Sequence, residues 1–276
     1  MKDIFVHLNV SKHCLSRLKM TAHLARTFDA HVTGLYTSAV EDIQFFTMEQ
    51  VVSNVETPMR AWWLKKRDEV KAAFDATLRE TGVAADWIEV DDKVAGIVPY
   101  YARYADLTIV GQVDPGELLP ILEYDIPEDV ALGSGRPVLV VPYAGTYATV
   151  GRRVLIAWNG SAQSARAVND ALPFLRQAEK VTILTVNPEP VCKSKHDRPG
   201  AQIAVHLTRH GIKARVRELS VDGADVEDAI LLQASDEGAD LIVMGAYGHT
   251  RAREIALGGA TRAVFNDMTV PILMSH

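Results

Sequence analysis

The residues in this sequence best placed to do chemistry are glycines. An apolar run, Leu241-Ile242-Val243-Met244, leads into Gly245-Ala246-Tyr247-Gly248; after His249 to Leu257 comes Gly258-Gly259-Ala260-Thr261, opening a helical segment. Glycine lets a backbone turn sharply and approach an anion with no side chain in the way. The N–H groups at a helix start, reinforced by the helix dipole, then favour phosphate. Any one of these glycines reads equally well as a turn residue. The set, after a buried strand and before a helix, points to phosphate binding. It is not a Walker loop, because no Gly-Lys-Ser/Thr follows. It is not the dinucleotide fingerprint, whose glycines sit closer together and follow a first strand. His249 and Arg251 lie inside the loop as candidate phosphate contacts, since arginine pairs well with phosphate oxygens. No Ser-His-Asp or paired-carboxylate arrangement can be assembled from spacing, so no catalytic residue is expected, and no cluster has metal-ligand spacing. Cys192 and His196 flank Lys193-Ser194-Lys195 and read as a solvated loop, with metal binding or a lid over the ligand as the alternatives.

The elements that must carry this loop recur twice along the chain. Ile4-Phe5-Val6-His7-Leu8-Asn9-Val10-Ser11 matches Val154-Leu155-Ile156-Ala157-Trp158-Asn159-Gly160-Ser161, with Asn and Ser in register. His31 to Tyr36 answers Val181 to Val186, Asp106 to Gly111 answers Asp240 to Gly245, and Arg136 to Val141 answers Val270 to Ser275. The last two pairs share one offset. Between the apolar runs the period is helical: Ser16 to Phe28 places Leu18, Ala22, Ala25 and Phe28 on one face. Ala162 to Ala178 does the same with Ala165, Val168, Ala171, Leu172 and Leu175, behind Ser161 as N-cap, and Val226 to Glu237 with Ile230 and Ala234. Strands alternating with helices predict an α/β protein, two tandem open five-stranded parallel sheets with helices on both faces. The strands of the second half are expected near 153–159, 181–187, 213–219, 241–246 and 271–275, and the domains at 1–143 and 151–276, joined by the glycine-punctuated Pro142 to Gly151. The first half carries an insertion at Ser38 to Trp63 with Phe45, Phe46, Trp62 and Trp63. It reads as a longer helix packing on the protein, with a surface for a partner or an apolar ligand as the alternative.

Composition excludes several classes. With 276 residues, 48% hydrophobic and 23% charged, the chain suits a folded globular protein. A net charge of −6 opposes a nucleic-acid partner held through phosphates. No apolar run reaches the roughly 20 residues that span a bilayer, the N-terminus lacks a signal-peptide core, and Cys14 and Cys192 suit a reducing compartment. A cytoplasmic protein is expected, without membrane or nucleic acid.

Gly-x2-Gly-x9-Gly after an Asp-Leu-Ile-Val-Met lead-in resembles the universal stress protein family. So do the Val-Leu-Ile-Ala-Trp-Asn-Gly-Ser start and the Val-Pro-Ile-Leu-Met finish, and the resemblance covers nearly the whole chain as a tandem pair. It implies an adenine-nucleotide alpha-hydrolase-like fold, usually dimeric, with ATP, with or without Mg, bound in one branch. Nucleotide-binding roles then fall on Asn159, Gly160, Ser161, Val186, Met244, Gly245, Tyr247, Gly248, Gly258, Gly259, Ala260 and Thr261. Asn159 stands where the family has an aspartate, and Gly259 where it has Ser or Thr, leaving Thr261 as the nearest hydroxyl. In the first half the constant offset turns Gly248 into Asp114, Gly258 into Tyr124 and Gly259 into Asp125. Carboxylates and lost glycines both oppose phosphate, so ATP is expected in the second domain alone. The resemblance implies an ATP-binding regulatory protein of the stress response, a homodimer or an intrachain pseudo-dimer through the final strands, with a regulatory protein partner. A slow ATP hydrolase and a nucleotide-free dimeric interaction scaffold are the alternatives.

Overall fold

The computed structural model describes residues 1–37, 52–90, 94–117, 126–147, 149–188, 199–221, 226–246, 264–265 and 267–276, with backbone alone at 52–60, 94–95 and 199. The chain forms two compact units, Met1–Thr146 and Tyr147–His276. The first contains β1 (Asp3–Leu8), α1 (Cys14–Phe28), β2 (His31–Thr37), α2 (Val52–Thr81), β3 (Ala85–Val90), α3 (Val94–Ala102), β4 (Leu107–Gly111), α4 (Ile126–Gly133) and β5 (Val138–Val141). The second contains β6 (Arg153–Ala157), α5 (Ala162–Asp170), α6 (Leu172–Leu175), β7 (Lys180–Val186), α7 (Pro199–Arg209), β8 (Ala214–Leu219), α8 (Val226–Glu237), β9 (Leu241–Gly245) and β10 (Ile272–Ser275).

Each unit is an open parallel sheet, ordered β3-β2-β1-β4-β5 in the first and β8-β7-β6-β9-β10 in the second. The chain steps outward from β6 to β8, then returns to build β9 and β10 on the other side. Right-handed crossovers therefore put α5 and α7 on one face and α8 on the opposite one. Central strands are buried on both sides, as Val154-Leu155-Ile156 and Leu107-Thr108-Ile109-Val110 are, because both faces are covered. The edge strands depart from that expectation. In β8, Arg215, Arg217 and Glu218 are exposed while Ala214, Val216 and Leu219 are half-buried, a charged outer edge that resists further strand pairing.

The expected helix at 162–178 is broken. Pro173 lacks the N–H that would continue α5, so the chain closes α5 at Ala171 and restarts as α6. Of the expected face Val168, Ala171, Leu172 and Leu175 are buried and Ala165 is exposed, with Ser164 and Ala167 buried beside them. The insertion ends in α2, which packs on α1 of its own unit. Trp63 is buried there (4% exposed), whereas Trp62 is 44% exposed; Phe45 and Phe46 lie outside the described residues. Among the described residues no helix is long and apolar enough to cross a membrane.

One device recurs in both units. Asp240, at the start of β9, accepts from Thr149 Oγ1 (2.7 Å) and from the amides of Gly151 (3.1 Å), Arg152 (3.2 Å) and Arg153 (2.8 Å), fixing the start of β6. Asp106 does the same for β1 through the amides of Lys2 (2.5 Å) and Asp3 (3.2 Å). Asp240→Ala is expected to destabilise the second unit by about 1.5–3 kcal/mol, the range for hydrogen bonds to a charged group, seen as a lower urea midpoint. A second expectation concerns His7, buried on β1 with Nε2 2.8 Å from Thr37 Oγ1. Burial, then the nearby Arg17, lowers its pKa from 6.5 to about 3. Folded His7 stays neutral while the unfolded chain protonates, so its contribution is complete above pH 6.5 and is lost as pH falls towards 3. Urea midpoints of the first unit, followed by the fluorescence of Trp62, Trp63 and Trp87, should fall across that window, and His7→Gln should flatten the fall.

Candidate functional site

A parallel sheet whose strand order reverses leaves a crevice outside the carboxyl ends of the two strands at the switch. In the second unit those strands are β6 and β9, neighbours through Ala157 and Met244. The chain leaving β6 passes Trp158, Asn159 and Gly160 before Ser161 caps α5. Gly160 has φ of 75°, a turn that glycine makes without a Cβ penalty. Asn159 Oδ1 accepts from Ser161 N–H at 3.1 Å, and Ser161 Oγ accepts from Ser164 N–H at 3.1 Å, as expected of an N-cap. The first-turn amides of Ala162 and Gln163 are of the kind that a helix leaves without an internal acceptor.

The chain leaving β9 explains Gly245. A Cβ there would lie 2.5 Å from the Ser164 nitrogen and 2.7 Å from the Gln163 carbonyl carbon. The bare Cα lets the end of β9 rest on the first turn of α5, so residues after it start beside those amides. Asn159, Gly160, Ser161, Met244 and Gly245 thus converge at one crevice, with Met244 buried and Asn159 exposed. Val186 ends β7, one strand further along. Tyr247, Gly248, His249, Arg251, Gly258, Gly259, Ala260 and Thr261 lie outside the described residues, as do Cys192, Lys193, Ser194, Lys195 and His196. Three neighbours of the crevice escaped the sequence reading. Ser164 is buried in the capping network, His276 Nδ1 donates to the Ala246 carbonyl at 3.0 Å, and the buried Trp158 Nε1 has no partner among the described residues.

The first unit fills the equivalent crevice with its own side chains. In the register that equates Asn9 with Asn159, Arg17 takes the place of Ala167. Its guanidinium is buried (3% exposed), donating from Nε to the His7 carbonyl (2.9 Å) and from Nη2 to Asn9 Oδ1 (2.8 Å). A Cβ on Gly111, the counterpart of Gly245, would lie 2.1 Å from Arg17 Nη1. Asn9 is therefore turned inward onto Arg17, whereas Asn159 is exposed and holds the Ser161 amide.

Above it, Asp114 Oδ2 accepts from Lys12 Nζ (2.7 Å) and His13 Nε2 (3.0 Å), while Asp114 Oδ1 accepts from Gly116 N–H (2.8 Å). Glu117 Oε1 accepts from Ser11 Oγ (3.0 Å) and Lys12 N–H (2.9 Å). The Lys12 ammonium, then the His13 ring and the Gly116 amide, hold the Asp114 carboxyl well below the usual carboxylate range. The donors that an anion would need are present here, and two carboxylates already consume them. Tyr124 and Asp125 lie outside the described residues. Spacing had shown no metal-type cluster, yet His13, Asp114 and Glu117 meet across the crevice.

Residues 151–276 match the model of the universal stress protein family. A universal stress protein of Synechocystis sp. is 32% identical over 142 residues, 50% of this chain and 46% of the relative. One from Methanocaldococcus jannaschii is 37% identical over 60 residues, 22% of this chain and 36% of the relative. The chain thus spans about half the length of the first relative and about a third of the second. The crystal structure of a universal stress protein from Archaeoglobus fulgidus superposes over 98% of this chain and 95% of its own, with a TM-score of 0.72 at 17% identity, a likeness of fold. Residues 151–276 are thus a domain of the universal stress protein family, and the tandem parallel sheets of the chain share the fold of universal stress proteins.

Proposed function

We propose that the second unit binds ATP at the β6/β9 crevice and that the protein is a nucleotide-dependent regulator of the stress response. One observation carries the reading: Gly245 brings the end of β9 onto the first turn of α5, so a glycine-spaced segment leaves the sheet beside a helix N-terminus. That is where backbone N–H groups and the helix dipole favour phosphate. Asn159, Gly160 and Ser161 would border the nucleotide from the β6 side, Val186 and Met244 would flank base and ribose, and Gly245 would open the phosphate loop. Tyr247, Gly248, Gly258, Gly259, Ala260 and Thr261 would complete it, with His249 and Arg251 as phosphate contacts. Binding would reorganise residues 245–261 and bias a protein partner.

Gly245→Val is a poor test, because its side chain would collide with α5 whatever the ligand. Gly248→Val and Gly258→Val are the informative variants. Native mass spectrometry is expected to find one nucleotide per chain, and calorimetry to find ATP binding in the parent protein that both variants weaken at least tenfold. Absence of binding, or two nucleotides per chain, would overturn the reading. Ser161→Ala removes the cap of α5 and should destabilise the second unit by about 1 kcal/mol. At a fixed ATP concentration the variant should gain less stability than the parent protein if the first turn of α5 lies at the nucleotide, because the gain depends on affinity.

A further inference from the structure

We infer that the first unit holds a divalent-metal site of its own, a Zn2+-class centre formed by His13 Nε2 and the carboxylates of Asp114 and Glu117. The three ligand atoms lie within 4.8 Å of one another. They come from two loops, one leading from β1 into α1 and one following β4, both at the carboxyl ends of neighbouring strands. One imidazole with two carboxylates suits a borderline cation such as Zn2+ or Mn2+; Mg2+ and Ca2+ prefer oxygen alone. Around a tetrahedral ion with bonds of ~2.0–2.2 Å, ligand atoms stand roughly 3.4 Å apart. An inward adjustment of about 1 Å, within the reach of the Glu117 side chain, closes the set and leaves a fourth position for water.

Two further features favour a cation here. Asp114 is already oriented, with Oδ1 taken by the Gly116 amide at 2.8 Å and Oδ2 turned to His13, the outer-shell support a metal ligand needs. The position is also already occupied by positive charge, since Lys12 Nζ sits 2.7 Å from Oδ2. That lysine side chain is 62% exposed, so it can swing into water as the metal arrives. A divalent ion balances the two carboxylates, where one ammonium balances half of their charge.

Zn2+ titration of the full chain by calorimetry, with native mass spectrometry for stoichiometry, tests the site. His206 and His210, with ring centroids 4.7 Å apart, form a separate imidazole pair able to chelate, so the titration belongs in a His206→Ala background. One Zn2+ per chain is expected. His13→Ala and Asp114→Asn should each weaken binding tenfold or more, and Lys12→Ala should strengthen it several-fold by removing the competing cation. No uptake, uptake indifferent to His13→Ala, or a Lys12→Ala variant that binds more weakly would overturn the proposal. If circular dichroism shows that Asp114→Asn does not fold, the His13 and Lys12 variants decide.

Discussion

A parallel sheet that reverses its strand order cannot avoid a gap between the carboxyl ends of its two central strands, and the rest of each unit is organised by what fills that gap. In the second unit the filling is backbone. Gly245 has no side chain, α5 settles onto it through Gln163 and Ser164, and a helix N-terminus is left at the mouth. In the first unit the filling is a guanidinium. Arg17 reaches over Gly111 and spends its donors on the His7 carbonyl and Asn9. The two glycines are counterparts, yet one admits a helix turn and the other an arginine.

That exchange has electrostatic consequences. A buried cation is tolerated only when its donors are matched, because desolvation otherwise costs several kcal/mol. Among the described residues no carboxylate lies at ion-pair distance from Arg17, so backbone and amide oxygens carry the load. The same cation adds to burial in keeping His7 neutral. Asp114 and Glu117 then gather Lys12, His13 and the loop amide above it. The first crevice is thus a self-satisfied polar network, and an external polyanion would have to displace two carboxylates to enter.

Much of the fold was legible because hydrophobic period tracks burial: the runs at 154–156, 181–184, 241–244 and 272–274 are core strands, and Ser161 caps a helix. Where the reading slipped, a local effect outweighed periodicity. Pro173 divided a helix whose apolar pattern runs on past it, and the buried stripe of α5 takes in Ser164 and Ala167 beside Val168 while leaving Ala165 exposed. Small residues such as Ser164 are buried for closeness of approach, which hydrophobicity does not report. The crevice of the second unit was readable from Asn159, Ser161 and Gly245 because glycine and caps act locally. His13 and Asp114 are 101 positions apart, and nothing in either segment announces the other. Arg17 carried a signal that the repeat alignment held, a long cation opposite Ala167, but its meaning depended on knowing that the position faces Gly111.

The two ends of the sheets have diverged unequally, and the chemistry says why. At the amino ends, Asp106 and Asp240 perform one task, binding the amides that begin a first strand. Those amides exist in any sequence, so the aspartate serves whatever side chains surround it. At the carboxyl ends the partners are side chains and loops, and each substitution changes what the next can do. Once Arg17 occupies the space over Gly111, Asn9 must turn inward to satisfy it. The loop amides beyond are then left needing an acceptor, which Asp114 and Glu117 supply from within the chain. In the second unit Ala167 leaves that space to the backbone, and Asn159 stays at the surface, where it holds the Ser161 amide.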